Sequence, residues 1–170
     1  MDDRTTPSGE VYEIDFAFRE KLNAVAEGFR HNYCSQCGAC VADCPANNYS
    51  DTFNPRLIML KALLGFEHEL LGPGSDIWNC TNCFNCYERC PQNVRPIEII
   101  IALKNMLQER GMSPQSVTDI LKNVEATGRT VVVNVTVIKR RQELGLPPLP
   151  DLPVDEIAEL MKRGEEESYE

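Results

Sequence analysis

The chain has 170 residues, with 17 basic and 26 acidic side chains and a formal charge of −9 at neutral pH. Residues 1–30 hold seven acids against four bases and residues 151–170 hold eight against two, so the two ends account for the whole charge and the middle is neutral. Acidic ends argue against a nucleic-acid binder, whose partner's phosphates reward a basic surface, and the short KRR at 139–141 reads as a solvated helix face. No run approaches the ~18 apolar residues of a membrane span. The acidic, polar start MDDRTTPSGE is unlike a secretory leader. The expected location is the cytoplasm, where thiols are held reduced and serve metals or redox chemistry rather than structural disulfides.

Helix signals dominate the chain. Residues 15–28 open with Asp15 as a helix N-cap and end at Gly28, which suits the left-handed position after a helix. Residues 54–65 have Asn54 as cap, Pro55 at the first helical position and Gly65 at the end. Residues 95–111 repeat the device with Pro96 and Gly111. Their apolar positions, Ile97, Ile99, Ile100, Ile101, Leu103, Met106 and Leu107, make more than one stripe, so this helix is expected to be buried on most sides. Residues 113–128 do the same with Ser113, Pro114 and Gly128.

The segment TVVVNVTVIKRRQ stays open. Its β-branched residues favour a strand over 130–138, while Val135, Ile138 and Leu144 also suit a helix. LGLPPLPDLP reads as a proline-rich extended linker, VDEIAELMKRG as a short terminal helix and EEESYE as a solvated tail. The organisation expected is an N-terminal segment with a helix over 1–30, a helical domain over 31–128 and a C-terminal extension over 129–170, with extended acidic termini.

All eight cysteines fall in two copies of one pattern. CSQCGACVADCP carries Cys34, Cys37, Cys40, Cys44 and Pro45; CTNCFNCYERCP carries Cys80, Cys83, Cys86, Cys90 and Pro91. Each copy is followed by a connection and a proline-started helix, which makes an internal repeat on a helical frame. Disulfides within such crowded loops would be strained. Tetrahedral zinc sites draw cysteines as two separated pairs, and three evenly spaced cysteines plus a fourth before proline do not divide that way. The pattern fits [4Fe–4S] ligation, in which C-x2-C-x2-C holds three iron corners and the fourth cysteine of the run ligates the other cluster. The spacing therefore predicts two [4Fe–4S] clusters, one on Cys34, Cys37, Cys40 and Cys90 and one on Cys80, Cys83, Cys86 and Cys44. Pro45 and Pro91 lack an N–H and fix φ, turning the chain away after each fourth cysteine.

Gly38 and Ala39 are small where backbone must approach inorganic sulfide, and Ser35, Thr81, Asn82 and Asn85 are candidate donors to sulfur. Tyr33, Trp78, Phe84 and Tyr87 are candidates to shield the clusters, with core packing as the plainer role. His31 and His68 have no ligand spacing and read as core or surface residues. No nucleophile–base constellation and no Gly-rich dinucleotide fingerprint is present, so the catalytic residues expected are none, and the chain reads as an electron carrier.

The first cysteine motif, FNPRLIMLKALLG, WNCTNCFNCYERCP, TGRT and KRRQELGLPPLP together resemble the C subunit of CoB–CoM heterodisulfide reductase, over about residues 30–150. The cysteine motif alone is similar to iron–sulfur subunits of succinate dehydrogenase, fumarate reductase and glycolate oxidase, which share an α-helical ferredoxin-like fold. No cysteines remain for the [2Fe–2S] domain of a succinate dehydrogenase subunit and the CCG repeats of a glycolate oxidase subunit are missing, which sets those relatives aside; a free-standing module with no membrane segment points instead to the soluble A–B–C type. It implies a mainly α domain binding two [4Fe–4S] clusters that relays electrons from a flavin-containing A subunit to a catalytic B subunit. There, in methanogenesis, the CoM-S-S-CoB heterodisulfide is reduced, with a hydrogenase or formate dehydrogenase supplying the bifurcated electrons. The eight cysteines carry over as cluster ligands. The alternatives are a related complex with another disulfide or thiol substrate and, in a different class, a zinc-stabilised interaction module.

Overall fold

The computed structural model describes residues 14–25 and 30–167; the expected helix end at Gly28 and the acidic residues 1–13 lie outside them. The chain forms two compact units, Met1–Met112 and Ser113–Glu170. The fold is mainly helical, and among the described residues there is no strand.

The first unit holds α1 (Phe18–Val25), α2 (Ala39–Ala42), α3 (Pro45–Tyr49), α4 (Pro55–Leu64), α5 (Glu67–Leu70), α6 (Asn85–Glu88) and α7 (Pro96–Glu109). The internal repeat is visible in this order. A single 3₁₀ turn, His31–Tyr33 or Asp76–Asn79, leads into each cysteine loop; a one-turn helix, α2 or α6, spans the third cysteine; a longer proline-started helix, α4 or α7, follows.

The local chemistry explains the element ends. Asn54 Oδ1 accepts the Arg56 and Leu57 N–H groups at 3.0 and 3.1 Å, and Pro55 opens α4 where a missing N–H costs nothing. α1 starts later than its cap suggested. The Asp15 carboxylate accepts the Ala17 N–H at 2.8 Å and its carbonyl accepts the Phe18 N–H, so a turn intervenes before Phe18. α7 opens at Pro96 behind Arg95, which is left-handed (φ +57) and caps nothing with its side chain.

α7 is the central strut. Ile97, Ile99, Ile100, Ala102, Leu103, Met106 and Leu107 are all buried, while Ile101, expected in the core, is only half-buried. Of these, Ile99, Ile100, Leu103, Met106 and Leu107 pack with Phe18, Leu22, Phe53, Met59, Ile77 and Val94 in one core, and Cys34, Trp78, Cys80 and Cys90 lie against it. Each large side chain fully buried contributes ~1.5–3 kcal/mol, so the cysteine loops are anchored to the stiffest part of the unit. Lys21 on α1 pairs with Asp15 and Glu67, and Arg110 pairs with the same Glu67 carboxylate, tying α1 and the C-terminal end of α7 to α5.

Gly65 ends α4 at φ +84, and the Asp15 N–H donates to its carbonyl at 2.8 Å. A Cβ there would overlap the Asp15 carbonyl oxygen, which is backbone and cannot swing aside. Gly65→Ala is therefore expected to cost more than the ~1–2 kcal/mol of the left-handed conformation alone. The measurement is denaturant unfolding of the cluster-loaded chain; a change within experimental error would show that the α1 entry is not seated on Gly65.

The second unit contains α8 (Gln115–Thr127), α9 (Val135–Glu143) and α10 (Val154–Glu167). The division falls before α8, whereas the sequence pattern carries the first domain to residue 128: α8 packs against α10 and ends at Gly128, whose Cα faces Leu152 and Ile157 closely enough that a Cβ would lie 3.0 Å from each. Pro114 is the residue before α8, so this helix starts at Gln115 rather than at the proline. The open segment resolves as helix from Val135, because the Asn134 side chain accepts the Val137 N–H at 2.9 Å; residues 131–133 are exposed and non-helical. α10 runs on through Gly164 to Glu167 instead of ending at the glycine, a single glycine costing only ~1 kcal/mol in a helix whose following residues are good helix formers.

Candidate metal centres

The cysteine loops owe their shape to residues held at positive φ. Gln36 (φ +55) and Gly38 (φ +84) bracket Cys37; Asn82 (φ +52) and Phe84 (φ +62) bracket Cys83 at the corresponding positions. Gly38 is required by this conformation and not by crowding, because a Cβ there would meet nothing within 4 Å. Phe84 adopts the same conformation with a full side chain, which costs ~1–2 kcal/mol. Such bends turn three cysteines of a short loop toward one side.

Two cavities result. One is lined by Cys34, Cys37, Cys40 and Cys90, together with Arg56, Val94 and Pro96. The other is lined by Cys44, Cys80, Cys83 and Cys86 and walled by Phe53, Phe84, Ile97 and Ile100. All eight cysteines are free thiols. Cys44 is the most buried, at 8% exposure, while Cys37 and Cys83 are exposed and mark where each cavity meets the surface.

The fourth cysteines are seated by the elements that follow them. Cys44 is the N-cap of α3, where its Sγ accepts the Asn47 N–H at 3.5 Å, and Cys90 Sγ accepts the Val94 N–H at 3.3 Å. The residues just before them, Asp43 and Arg89, form an ion pair at 2.6 Å, and Asn85 Nδ2 donates to the Asp43 carbonyl at 3.0 Å. The two loops thus face each other across α2 and α6. The exposed pair adds ~0–1 kcal/mol at most, so it sets register more than stability.

Burial governs the thiols' protonation. It pushes Cys40 up to about 11, with the nearby Cys34 side chain adding to the effect. It pushes Cys86 up to about 12, reinforced first by Cys80 and then by Cys40. Cys80 is also raised by burial. Unligated, these groups stay neutral thiols at pH 7. Metal binding must remove their protons, so iron binding is accompanied by proton release and weakens in acid. The four sulfurs of each set surround a cavity; among the described residues no three His, Cys, Asp or Glu side chains converge as ligands of one ion. Four thiols around a space match the donor set of a cubane, whose irons stand apart, better than that of zinc, which takes four ligands at ~2.0–2.3 Å from one point.

Several neighbours have other roles than the sequence suggested. Asn85 donates to Asp43 and not to sulfur, Asn82 accepts from Lys104, and Ser35 and Thr81 line the cavities. Among the described residues the side-chain donor to sulfur is Gln36, whose Nε2 lies 3.3 Å from Cys34 Sγ. Ala39 lines the first cavity; Phe84 lines the second, whereas Tyr33, Trp78 and Tyr87 line neither. Tyr33 instead stacks under Arg30, Tyr87 under Arg95 and Trp78 under Lys104. His31 is fully buried and held neutral by desolvation and then by Arg19, and His68 is exposed. Gln36, Arg56 and Lys104 escape a reading of the sequence because nothing in their spacing distinguishes them from ordinary loop or helix residues.

Comparison with known proteins decides the family. Residues 30–94, which hold both loops, match the family described as a 4Fe-4S dicluster domain. The iron–sulfur C subunit of the CoB–CoM heterodisulfide reductase of Methanopyrus kandleri is 30% identical over 162 residues, covering 92% of this chain and 80% of that protein. The chain belongs to the family of heterodisulfide reductase C subunits. The C subunit of the H2:CoB–CoM heterodisulfide,ferredoxin reductase of Methanothermobacter thermautotrophicus is 32% identical over 137 residues, 81% of this chain and 72% of its own length. The C subunit of a CoB–CoM heterodisulfide reductase of Methanosarcina acetivorans, named as ferredoxin/F420H2-dependent, is 30% identical over 126 residues, 74% and 76% of the two chains. With the dicluster match and this kinship, the protein is an iron–sulfur subunit of the oxidoreductase class that binds two [4Fe–4S] clusters. Among the described residues no helix is long and apolar enough to cross a membrane.

Proposed function

We propose that this chain is the electron-relay subunit of a heterodisulfide reductase complex in the cytoplasm. It would pass electrons from a flavin-containing A subunit to a catalytic B subunit that reduces the CoM-S-S-CoB heterodisulfide in methanogenesis. The observation that carries this reading is the pair of cavities, each with four cysteines and largely apolar walls, facing each other through α2 and α6. The clusters supply reversible one-electron transfer; the chain supplies thiolate ligands, backbone N–H groups to sulfur and a dry surround.

The ligation is crossed: Cys34, Cys37 and Cys40 with Cys90, and Cys80, Cys83 and Cys86 with Cys44. The lining of the two cavities supports this assignment. Crossing makes each half contribute a ligand to the other's cluster, so the two centres share one rigid frame built on α4 and α7. No catalytic residue is assigned to this chain, because each cysteine is used as a ligand and no acid–base pair lines either cavity. Upstream, a hydrogenase or formate dehydrogenase would feed the A subunit.

The test is anaerobic purification of the native complex through this chain. Bound flavin, a partner with CCG repeats and viologen-driven reduction of CoM-S-S-CoB are expected together, while the isolated chain, loaded with iron and sulfide, should show no turnover. Turnover by the isolated chain would overturn the relay reading. Partners without heterodisulfide turnover would keep the relay and assign it to a different disulfide substrate.

A further inference from the structure

We propose that Lys104 is a positioning cation for the second cluster, fixing the Cys80 loop and raising that cluster's reduction potential. The inference rests on the two-cluster reading above and concerns how this chain tunes one of the two centres.

Lys104 lies on α7, far from the loop in sequence, and its half-buried ammonium is aimed at it. Nζ donates to the Cys80 carbonyl at 3.0 Å and to Asn82 Oδ1 at 3.0 Å, and it lies 5.7 Å from the centre of the Trp78 ring. Asn82 is one of the residues held at positive φ, so the lysine grips the loop at the bend that presents Cys80 and Cys83. Among the described residues no carboxylate pairs with Lys104, in contrast to Lys21 and Lys61, each of which sits in an ion pair. A partly desolvated cation without a counter-ion is costly. Its placement is explained if the negative charge it faces is that of the thiolate-ligated centre. Reduction adds one more negative charge there, and a fixed cation favours the reduced form.

The internal repeat shows that this arrangement is specific to the second half. Counted from the helix-opening prolines, the position of Lys104 on α7 is taken by Leu63 on α4; counted from the first cysteine of each loop, Trp78 corresponds to Asn32. The first half therefore lacks the lysine–tryptophan pair. Its basic residue is Arg56, on the first turn of α4 and lining the first cavity, where the second half has Ile97. Each half has its own basic residue at a different place, so Lys104 acts on the second cluster without fixing which of the two centres has the higher potential.

The experiment is an EPR-monitored redox titration of the full chain, purified anaerobically, as wild type, Lys104→Met, Lys104→Gln and Lys104→Arg, each with iron, sulfide and melting temperature measured first. In Lys104→Met one of the two couples is expected to shift negative, with the reduced-to-oxidised ratio at fixed potential falling about tenfold, equivalent to about 59 mV for one electron. The other couple should stay in place, and Lys104→Arg should restore most of the shift. If Lys104→Met does not retain both clusters, Lys104→Gln, which keeps a donor without the charge, reads the same shift. Loaded variants whose couples do not move, or move together, overturn the proposal. A wild-type chain that takes up no iron and sulfide overturns the cluster reading instead.

Discussion

Replacing Cys44 with serine is expected to remove the cluster of the opposite loop while leaving that of its own. Iron and sulfide should each fall from about eight to about four per chain, as one of two cubanes is lost. The substitution is well suited to separate ligation from folding. Cys44 is the N-cap of α3, its Sγ accepting the Asn47 N–H, and serine is among the preferred residues at that position. α3 should therefore persist while an iron ligand is withdrawn. The crossed assignment makes a further demand that needs no prior identification of signals. The EPR spectrum left in Cys44→Ser should match that left in Cys80→Ser, and the spectrum of Cys90→Ser should match that of Cys34→Ser. If Cys44→Ser instead groups with Cys34→Ser, each loop ligates its own cluster and the crossing is wrong.

The helical frame around those cysteines is largely legible in the sequence, and the reason is physical. Helix starts and stops are set by single residues with strong local preferences. Asn54, Pro55 and Gly65 delimit α4 as their chemistry requires, and Pro96 opens α7. The long apolar run of α7 gave its burial, apart from Ile101. Even the ambiguous TVVVN segment carried its answer in Asn134, an N-cap whose signal was outweighed by the β-branched residues around it. What failed was whatever depends on distant partners or on additive propensity. Pro114 marks the residue before a helix rather than its first position, and Gly164 is carried inside α10.

The site shows the same division. Cysteine spacing marks which thiols a short loop gathers, because loop geometry is local, and the structure places four cysteines at each cavity. The positive φ of Phe84 and Arg95 is not legible, since neither residue favours it and only the packed loop imposes it. Lys104 reaches Cys80 across folded structure, and Gln36 becomes a sulfur donor only when its own loop is bent. These are the residues that distinguish the two centres from each other, so the repeat in the sequence describes what the centres share and hides how they differ.

Phe53→Ala is expected to be strongly destabilising and to act on one cluster before the other. Phe53 is 1% exposed, belongs to the core that holds α7 and lines the second cavity beside Cys44 and Cys80. Truncating a buried phenylalanine costs ~3–5 kcal/mol through lost contacts and the cavity left behind, a large share of the ~5–15 kcal/mol that holds a typical domain together. The void opens on the second cavity, so water gains access to that centre first. Phe84→Ala is the matched comparison: Phe84 lines the same cavity but is 45% exposed, and alanine inherits its strained backbone without repairing it. Thermal unfolding should therefore fall sharply for Phe53→Ala and little for Phe84→Ala, while both should lose the spectrum assigned by Cys80→Ser sooner than the other on exposure to a chelator. Equal loss of both clusters in Phe53→Ala would mean that its effect runs through global unfolding, and that the core wall around Cys44 does not protect its cluster separately.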